Sequence, residues 1–314
     1  MRRRSLYDNN WFEYYDSENE SNVFQSITAT VAIGSNLYLI GFSNWSLPGL
    51  FKFDINTRNF SYYRVQTGRS SIAYENKIYM AAYDEHLRAF YIFDTISGVS
   101  TAVSKTSNSL IRSIAGIYNN EIYIVSQQYL EIFNLSTQAN TRNKSLSYAA
   151  RFPMTQLYNN KIYTLTSVNG SNLEIIDLMD GNVNNMTISN VAMSNPDNPA
   201  SMFVKDDKIY LFCSNTIQIY DLSSQNTEII NVPQRNRRAI HNDGNYFYIT
   251  GLNSNVVEIF NITTKAYKEL TIPLTSLWNG IYKYDGDLYL TASFSGSELG
   301  SGRGRVAWIK NTKI

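Results

Sequence analysis

The sequence predicts an all-β chain folded as one seven-bladed β-propeller of four-stranded blades, and three observations predict it. A turn–apolar–Tyr step recurs seven times, a second turn signal follows it in phase, and the composition favours strands joined by tight turns. Twenty-four Tyr and 15 Phe stand in a chain of 314 residues with 43% hydrophobic and only 17% charged residues. Aromatic and β-branched residues suit strands, and the abundant Asn and Ser suit turns.

The first step reads Ser35-Asn36-Leu37-Tyr38, Asn76-Lys77-Ile78-Tyr79, Asn120-Glu121-Ile122-Tyr123, Asn160-Lys161-Ile162-Tyr163, Asp207-Lys208-Ile209-Tyr210, Asn245-Tyr246-Phe247-Tyr248 and Gly286-Asp287-Leu288-Tyr289. Successive tyrosines lie 38 to 47 residues apart, which is the period of a propeller blade. Seven equivalent tyrosines cannot all be catalytic, so the expected role is packing between blades. After each tyrosine an alternating apolar stretch ends in Asp or Asn, with a hydroxyl residue three positions on. The pairs are Asp54 and Thr57, Asp94 and Ser97, Asn134 and Thr137, Asp221 and Ser224, and Asn261 and Thr264, with Asp177 followed by Asp180. An acceptor there bonds the backbone two residues on and fixes a tight turn.

Blades are expected at about 25–63, 64–106, 107–147, 148–190, 191–232, 233–272 and 273–314. Blade two reads as strands from Ser70 to Tyr74, Ile78 to Ala82, Ala89 to Phe93 and Val99 to Val103. The seventh unit has three strands, Trp278 to Tyr284, Leu288 to Ala292 and Arg305 to Ile309. Trp11-Phe12-Glu13-Tyr14-Tyr15 resembles the fourth strand of blade one, Asn59-Phe60-Ser61-Tyr62-Tyr63. Residues 11–15 are therefore expected to complete blade seven and close the ring, removing an open edge.

Over nearly the whole chain the arrangement resembles kelch-type propellers. The matching features are the turn–apolar–Tyr step, the turn Tyr220-Asp221-Leu222-Ser223-Ser224, and arginines near the start of first strands: Arg69, Arg112, Arg151 and Arg238. The kelch double glycine is replaced by pairs such as Ala81-Ala82 and Cys213-Ser214, and a fourth-strand Trp occurs only at Trp11. The resemblance implies that these arginines face acidic peptide partners.

Composition narrows the function. A formal net charge of +1 does not suit a chain built to neutralise nucleic-acid phosphates. Cys213 is the lone cysteine, and His86 and His241 are the two histidines. An intrachain disulfide, a cysteine cluster and a histidine-rich metal site are thereby excluded, and no cofactor or metal is expected. Met1-Arg2-Arg3-Arg4 has no apolar stretch behind it, so no signal peptide is read, and no run is long enough to span a membrane. The expected location is the cytoplasm or a larger particle such as a virion. Seven Asn-x-Ser/Thr sequons are about what chance supplies in such a sequence and carry little weight.

Strand directions alternate within a blade, so first-to-second and third-to-fourth turns share one face. The second-to-third and blade-to-blade connections share the other. Irregular segments expected there are Ser43 to Leu50, Asp84 to Arg88, Gln138 to Ser147, Asp180 to Pro199, Val232 to Arg237 and Ser293 to Gly304, and variable loops on a rigid scaffold are where binding resides. Arg69, Arg112, Arg151 and Arg238 are expected near the channel mouth on that face, with Arg235 and Arg237 just before the last. Guanidinium groups so placed offer bidentate bonds to carboxylates, while the bland alternative has them bonding loop carbonyls. Trp45, on a loop, is a further candidate contact. Asp84-Glu85-His86 reads as a solvated loop and Ser295 to Arg305 as a flexible one. No catalytic motif is found. The leading expectation is a non-catalytic module binding a protein partner, with an acidic partner as one option. The alternatives are a carbohydrate-binding propeller on a virus or cell surface and, less favoured, a hydrolase or lyase acting on an anionic sugar.

Overall fold

The computed structural model describes residues 2–7, 10–16, 24–43, 47–82, 88–104, 111–126, 129–147, 154–166, 172–188, 201–252, 254–293 and 304–310. These residues form 28 strands in two compact units, Met1–Thr67 with Arg235–Ile314, and Gly68–Gln234. No helix among the described residues is long and apolar enough to cross a membrane.

The second unit holds four sheets of four antiparallel strands each. Blade two comprises β7 (Gly68–Tyr74), β8 (Lys77–Ala82), β9 (Arg88–Asp94) and β10 (Ser100–Ser104). Blade three follows with β11 (Ile111–Tyr118), β12 (Glu121–Ser126), β13 (Tyr129–Asn134) and β14 (Asn140–Ser145). Blade four has β15 (Met154–Tyr158), β16 (Lys161–Thr166), β17 (Asn172–Asp177) and β18 (Val183–Thr187). Blade five has β19 (Ser201–Lys205), β20 (Lys208–Phe212), β21 (Thr216–Asp221) and β22 (Thr227–Asn231).

In the first unit, β3 (Phe24–Ile33), β4 (Asn36–Ser43), β5 (Leu47–Asp54) and β6 (Phe60–Tyr63) form blade one. An eight-stranded sheet contains the rest: β1 (Arg2–Tyr7), β2 (Asn10–Asp16), β23 (Arg237–Asn242), β24 (Tyr246–Gly251), β25 (Ser254–Asn261), β26 (Tyr267–Tyr284), β27 (Asp287–Ser293) and β28 (Gly304–Ile309). Its spatial order is β1-β2-β28-β27-β26-β25-β24-β23. The 18-residue β26 serves two blades. Its first part pairs with β25 to finish blade six, and Leu277 to Tyr284 pair with β27 to begin blade seven. Strand β2 pairs antiparallel with β28 from Phe12↔Ile309 to Asp16↔Arg305.

Turn chemistry explains the repeat. Four first-to-second turns place two consecutive residues at positive φ, as at Asn119 (48°) and Asn120 (60°) or Asp206 (50°) and Asp207 (54°). Such two-residue turns match the twist of the flanking strands, and Asn, Asp and Gly tolerate that conformation. In the third-to-fourth turns the Asp or Asn accepts backbone bonds as expected. Asp54 Oδ1 accepts from Asn56 N at 2.9 Å and Thr57 N at 2.8 Å, and Asn261 Oδ1 accepts from Thr263 N and Thr264 N at 2.9 and 2.7 Å. Two segments read from sequence as irregular, Gln138 to Ser147 and Asp180 to Pro199, instead contain β14 and β18. β14 is polar throughout, β18 has only Val183 and Met186 as apolar residues, and both are mostly exposed, so they lack the apolar alternation that identifies a half-buried strand.

The core lies between neighbouring blades. All seven second-strand tyrosines are buried. Tyr163 packs with Val204, Ile209 and Leu211 of blade five, and Tyr123 with Ile162 and Ile176 of blade four. In the first unit, Tyr248 meets Trp278 and Leu288, and Tyr289 and Trp308 of blade seven meet Leu37, Phe51 and Phe53 of blade one. Within each unit, neighbouring blades hide apolar faces against one another, and a repeat array gains stability from such interfaces.

Candidate functional site

Strand register sorts the candidate arginines. On β7 the pairs Gly68↔Ala82 and Ser70↔Ala81 leave Arg69 as an extra residue. On β11 the pairs Ile111↔Ser126 and Ser113↔Val125 do the same to Arg112, and on β23 Arg237↔Gly251 and Ala239↔Thr250 do the same to Arg238. All three occupy one repeated β-bulge, opposite the step between the second and third residues after the second-strand tyrosine. Each bulge borders the connection between the second and third strands of its own blade. Thr28 and Asn279 fill the equivalent bulges of blades one and seven. A bulge leaves its extra residue out of the ladder and re-aims the side chain. The backbone is tight here, since a Cβ on Gly68 would lie 1.6 Å from the Ala81 carbonyl oxygen.

Arg238 is exposed. Arg69 and Arg112 sit on the adjacent first strands of blades two and three, which Ile114 N joins by a 3.0 Å bond to Ser70 Oγ. Arg151 and Trp45 lie outside the described residues, as do His86 and the core of the Ser293 to Gly304 segment.

Arg237 is corrected by the structure. Expected beside the mouth and facing a partner, it is only 1% exposed and ion-paired to Glu258 at 2.5 Å. The pair belongs to a network in which the Tyr267 hydroxyl lies 2.5 Å from Glu258 Oε1 and 2.8 Å from Glu269 Oε1. Arg235 donates to both oxygens of Glu269, at 3.3 and 2.9 Å. Burial first, then the neighbouring Glu258, pushes the Tyr267 phenol well above its ordinary range, so it stays a protonated donor.

Sequence reasoning missed the residue type that organises this region. Three residues before the turn Asp or Asn, the third strand carries Glu131, Glu174, Gln218 and Glu258, all buried. Glu174 accepts from the backbone N–H of Ser147 at 3.1 and 3.2 Å, fastening the connection from blade three. Burial pushes its carboxyl up, and the Ser147 bonds offset part of that rise. The signal that reveals these residues is a single acid inside an apolar run of constant phase.

At the opposite, turn-bearing end, the first unit has a second polar cluster. Lys283 Nζ donates to Asp243 Oδ2 at 2.7 Å and to the Tyr248 hydroxyl at 2.8 Å, while that hydroxyl donates to Asp243 at 2.9 Å. Burial alone would raise the Asp243 carboxyl, but bonds from Lys283, the Tyr246 N–H and Tyr248 outweigh it and hold it at about 2. Burial pushes Tyr248 up to about 12, the bond from Lys283 offsetting part of the rise and Asp243 adding to it. The cluster is a pin between blades six and seven, since a phenol held there is no base at neutral pH. Because the folded carboxyl titrates below its ordinary 3.8, its stabilisation is complete above that value and fades as pH falls towards 2. Asp243→Asn is expected to lower stability by about 2 kcal/mol at pH 7 and by much less near pH 2. Thermal melts of both proteins across this range provide the check, and a gap that does not narrow in acid refutes the assignment.

An open groove of about 450 Å³ lies between blades four and five at the turn-bearing end, lined by Lys161, Tyr163, Asp177, Asp180 and Asp207 among others. Lys161 sits 3.6 Å from Asp177. No group of three or more potential metal ligands occurs among the described residues. Cys213 is buried, and burial holds His241 below its ordinary range.

No protein-family model matches the chain, and no curated protein matches it. Solved structures do. A streptogramin B lyase aligns with TM-score 0.71 and 13% identity, covering 95% of this chain and 97% of that one. The fold is a seven-bladed β-propeller. U3-55K aligns with TM-score 0.70 and 9% identity over 94% of this chain and 98% of its own. A chain of the mitotic checkpoint complex aligns with TM-score 0.55 and 12% identity, over 70% and 68% of the two chains. At such identities the likeness is one of fold, with mostly four-stranded blades.

Proposed function

We propose that this propeller is a non-catalytic interaction module that binds an acidic protein segment through the arginine-bearing bulges of blades two and three and the loops beside them. One observation carries the reading: Arg69, Arg112 and Arg238 occupy the same bulge in three different blades. A position that the ladder does not need, filled by arginine in three of the five blades whose described strands show this bulge, serves recognition better than packing. The buried carboxylates support it, because Glu174 and Glu258 are engaged by Ser147, Arg237 and Tyr267 and are withdrawn from acid–base work. The kelch-like placement of these arginines, and a structural neighbour within a checkpoint complex, agree with a binding role in the cytoplasm or in a larger particle. The same reading includes ring closure, with β2 acting as the fourth strand of blade seven.

The test is selection of acidic peptides from a displayed library, with binding measured at low and high salt. Arg69→Ala with Arg112→Ala is expected to weaken binding about tenfold or more and to flatten its salt dependence. Unchanged affinity in that double variant rejects the arginine site. Robust glycan-array binding that disappears in Trp45→Ala overturns the protein-partner reading in favour of a carbohydrate-binding propeller.

A further inference from the structure

The Arg2-Arg3-Arg4 run, which net charge and composition leave unexplained, acquires a place in the fold. Strand β1 pairs with β2 from Arg2↔Tyr15 to Tyr7↔Asn10 and stands at the end of the eight-stranded sheet. The β26 to β28 strands and β2 already make four, so β1 is a fifth strand on blade seven. The fourth strands of blades one to five, β6, β10, β14, β18 and β22, end sheets of four.

An edge strand offers one unpaired row of N–H and C=O groups, a template for another strand. What the edge carries decides which strand can use it. Of its six residues, β1 has three consecutive arginines and no acid. Period-two alternation puts Arg2 and Arg4 on one register face and Arg3 on the other. Two other edge strands among the described residues carry two cations: in β14 Arg142 pairs with Glu121 at 2.9 Å and Lys144 donates to the Gly181 carbonyl, and in β23, at the far end of the same sheet as β1, Arg237 pairs with the buried Glu258. Pairing β1 with a second copy of itself would gather six arginines on one seam, and like charges across a ladder are destabilising. A neutral strand offers the arginines no opposite charge.

We propose that β1 is a docking edge for an extended acidic segment of a protein partner, added as a sixth strand to blade seven. Backbone bonds supply the register-independent part of the affinity, and carboxylates opposite Arg2, Arg3 and Arg4 supply the selection. This surface is separate from the arginine bulges, and the two fail independently.

The experiment uses the full chain and a short soluble peptide alternating Glu with Thr and Val, with a scrambled, proline-interrupted peptide of equal charge as control. The expected result is binding of the first peptide accompanied by slowed amide exchange over residues 2–7. In the variant Arg2→Glu, Arg3→Glu, Arg4→Glu, affinity for this peptide is expected to fall about tenfold or more, while an alternating Lys peptide gains binding. Arg69→Ala with Arg112→Ala leaves this binding unchanged. Equal binding of the interrupted peptide indicates general attraction to polyanions and overturns the proposal. So does binding without protection of residues 2–7, or binding that survives the charge reversal.

Discussion

A chain lacking residues 1–16 should melt about 10 °C or more below the intact protein, with a broadened transition. The reason lies in what β2 covers. Strand β28 carries Val306, Ala307, Trp308 and Ile309, all buried, and β2 pairs with it along five residues. Trp308 packs 6.4 Å, centroid to centroid, from both Phe53 and Tyr289, and Arg58 lies over its ring at 4.8 Å. Removing β2 strips the ladder from one side of β28 and opens the joint between blades seven and one to water. Burial of large side chains is worth about 1.5–3 kcal/mol each, so partial exposure of two or three suffices for the drop. Scanning calorimetry of the truncated and intact chains reads it directly. Equal melting temperatures would mean that β2 adds nothing to the stability of β28. Loss of residues 1–7 alone should have a much smaller effect, because β2 and its pairing with β28 remain.

The second large effect concerns Arg237 and Glu258. Their side chains are 1% and 2% exposed, so neither charge has water to fall back on. Arg237→Ala should destabilise the protein by about 3–5 kcal/mol, because it leaves a buried carboxylate with the Tyr267 hydroxyl but without its counter-charge. Glu258→Ala should cost a similar amount by removing the counter-charge of the buried guanidinium. Replacing both at once, Arg237→Met with Glu258→Leu, is expected to recover most of the loss, since a buried pair is often worth little more than apolar residues of its volume. Tyr267 keeps Glu269 as an acceptor at 2.8 Å in that double variant. Chemical denaturation of the three variants decides the matter. A double replacement as damaging as either single one would show that the ion pair itself, and not the unmatched charge, holds the start of blade six.

These two residues also show how far the sequence could be read. Arg237 and Arg238 are adjacent and chemically identical, yet one is buried and the other exposed. The difference is a single extra residue in the ladder, and a one-residue shift moves a side chain to the other face. Nothing local announces that shift, so the arginines were legible as a group and not one by one. The turns were legible because their chemistry is local: Asp54 and Asn261 need only partners two and three residues on. The second-strand tyrosines were legible through repetition. Strands β14 and β18 were not, because outer strands exposed on both sides show no alternation. Glu174 and Glu258 escaped because an acid in a strand is ordinarily read as solvent-facing. Their partners, Ser147 at 27 residues' remove and Arg237 at 21, meet them only in the fold.

The unbroken course of β26 has a consequence for how the protein yields. Blades six and seven are joined through one extended backbone whose two halves each carry ladder bonds. Neither blade can peel away without bending that strand where Ile272 and Ser276 are buried. The two are thus expected to open as a single cooperative unit in native-state hydrogen exchange, with matching free energies along β24 and β27. Blades with a break between them have no such obligation and can open separately. A force or denaturant acting on this part of the chain therefore meets a double-width domino, not two single ones.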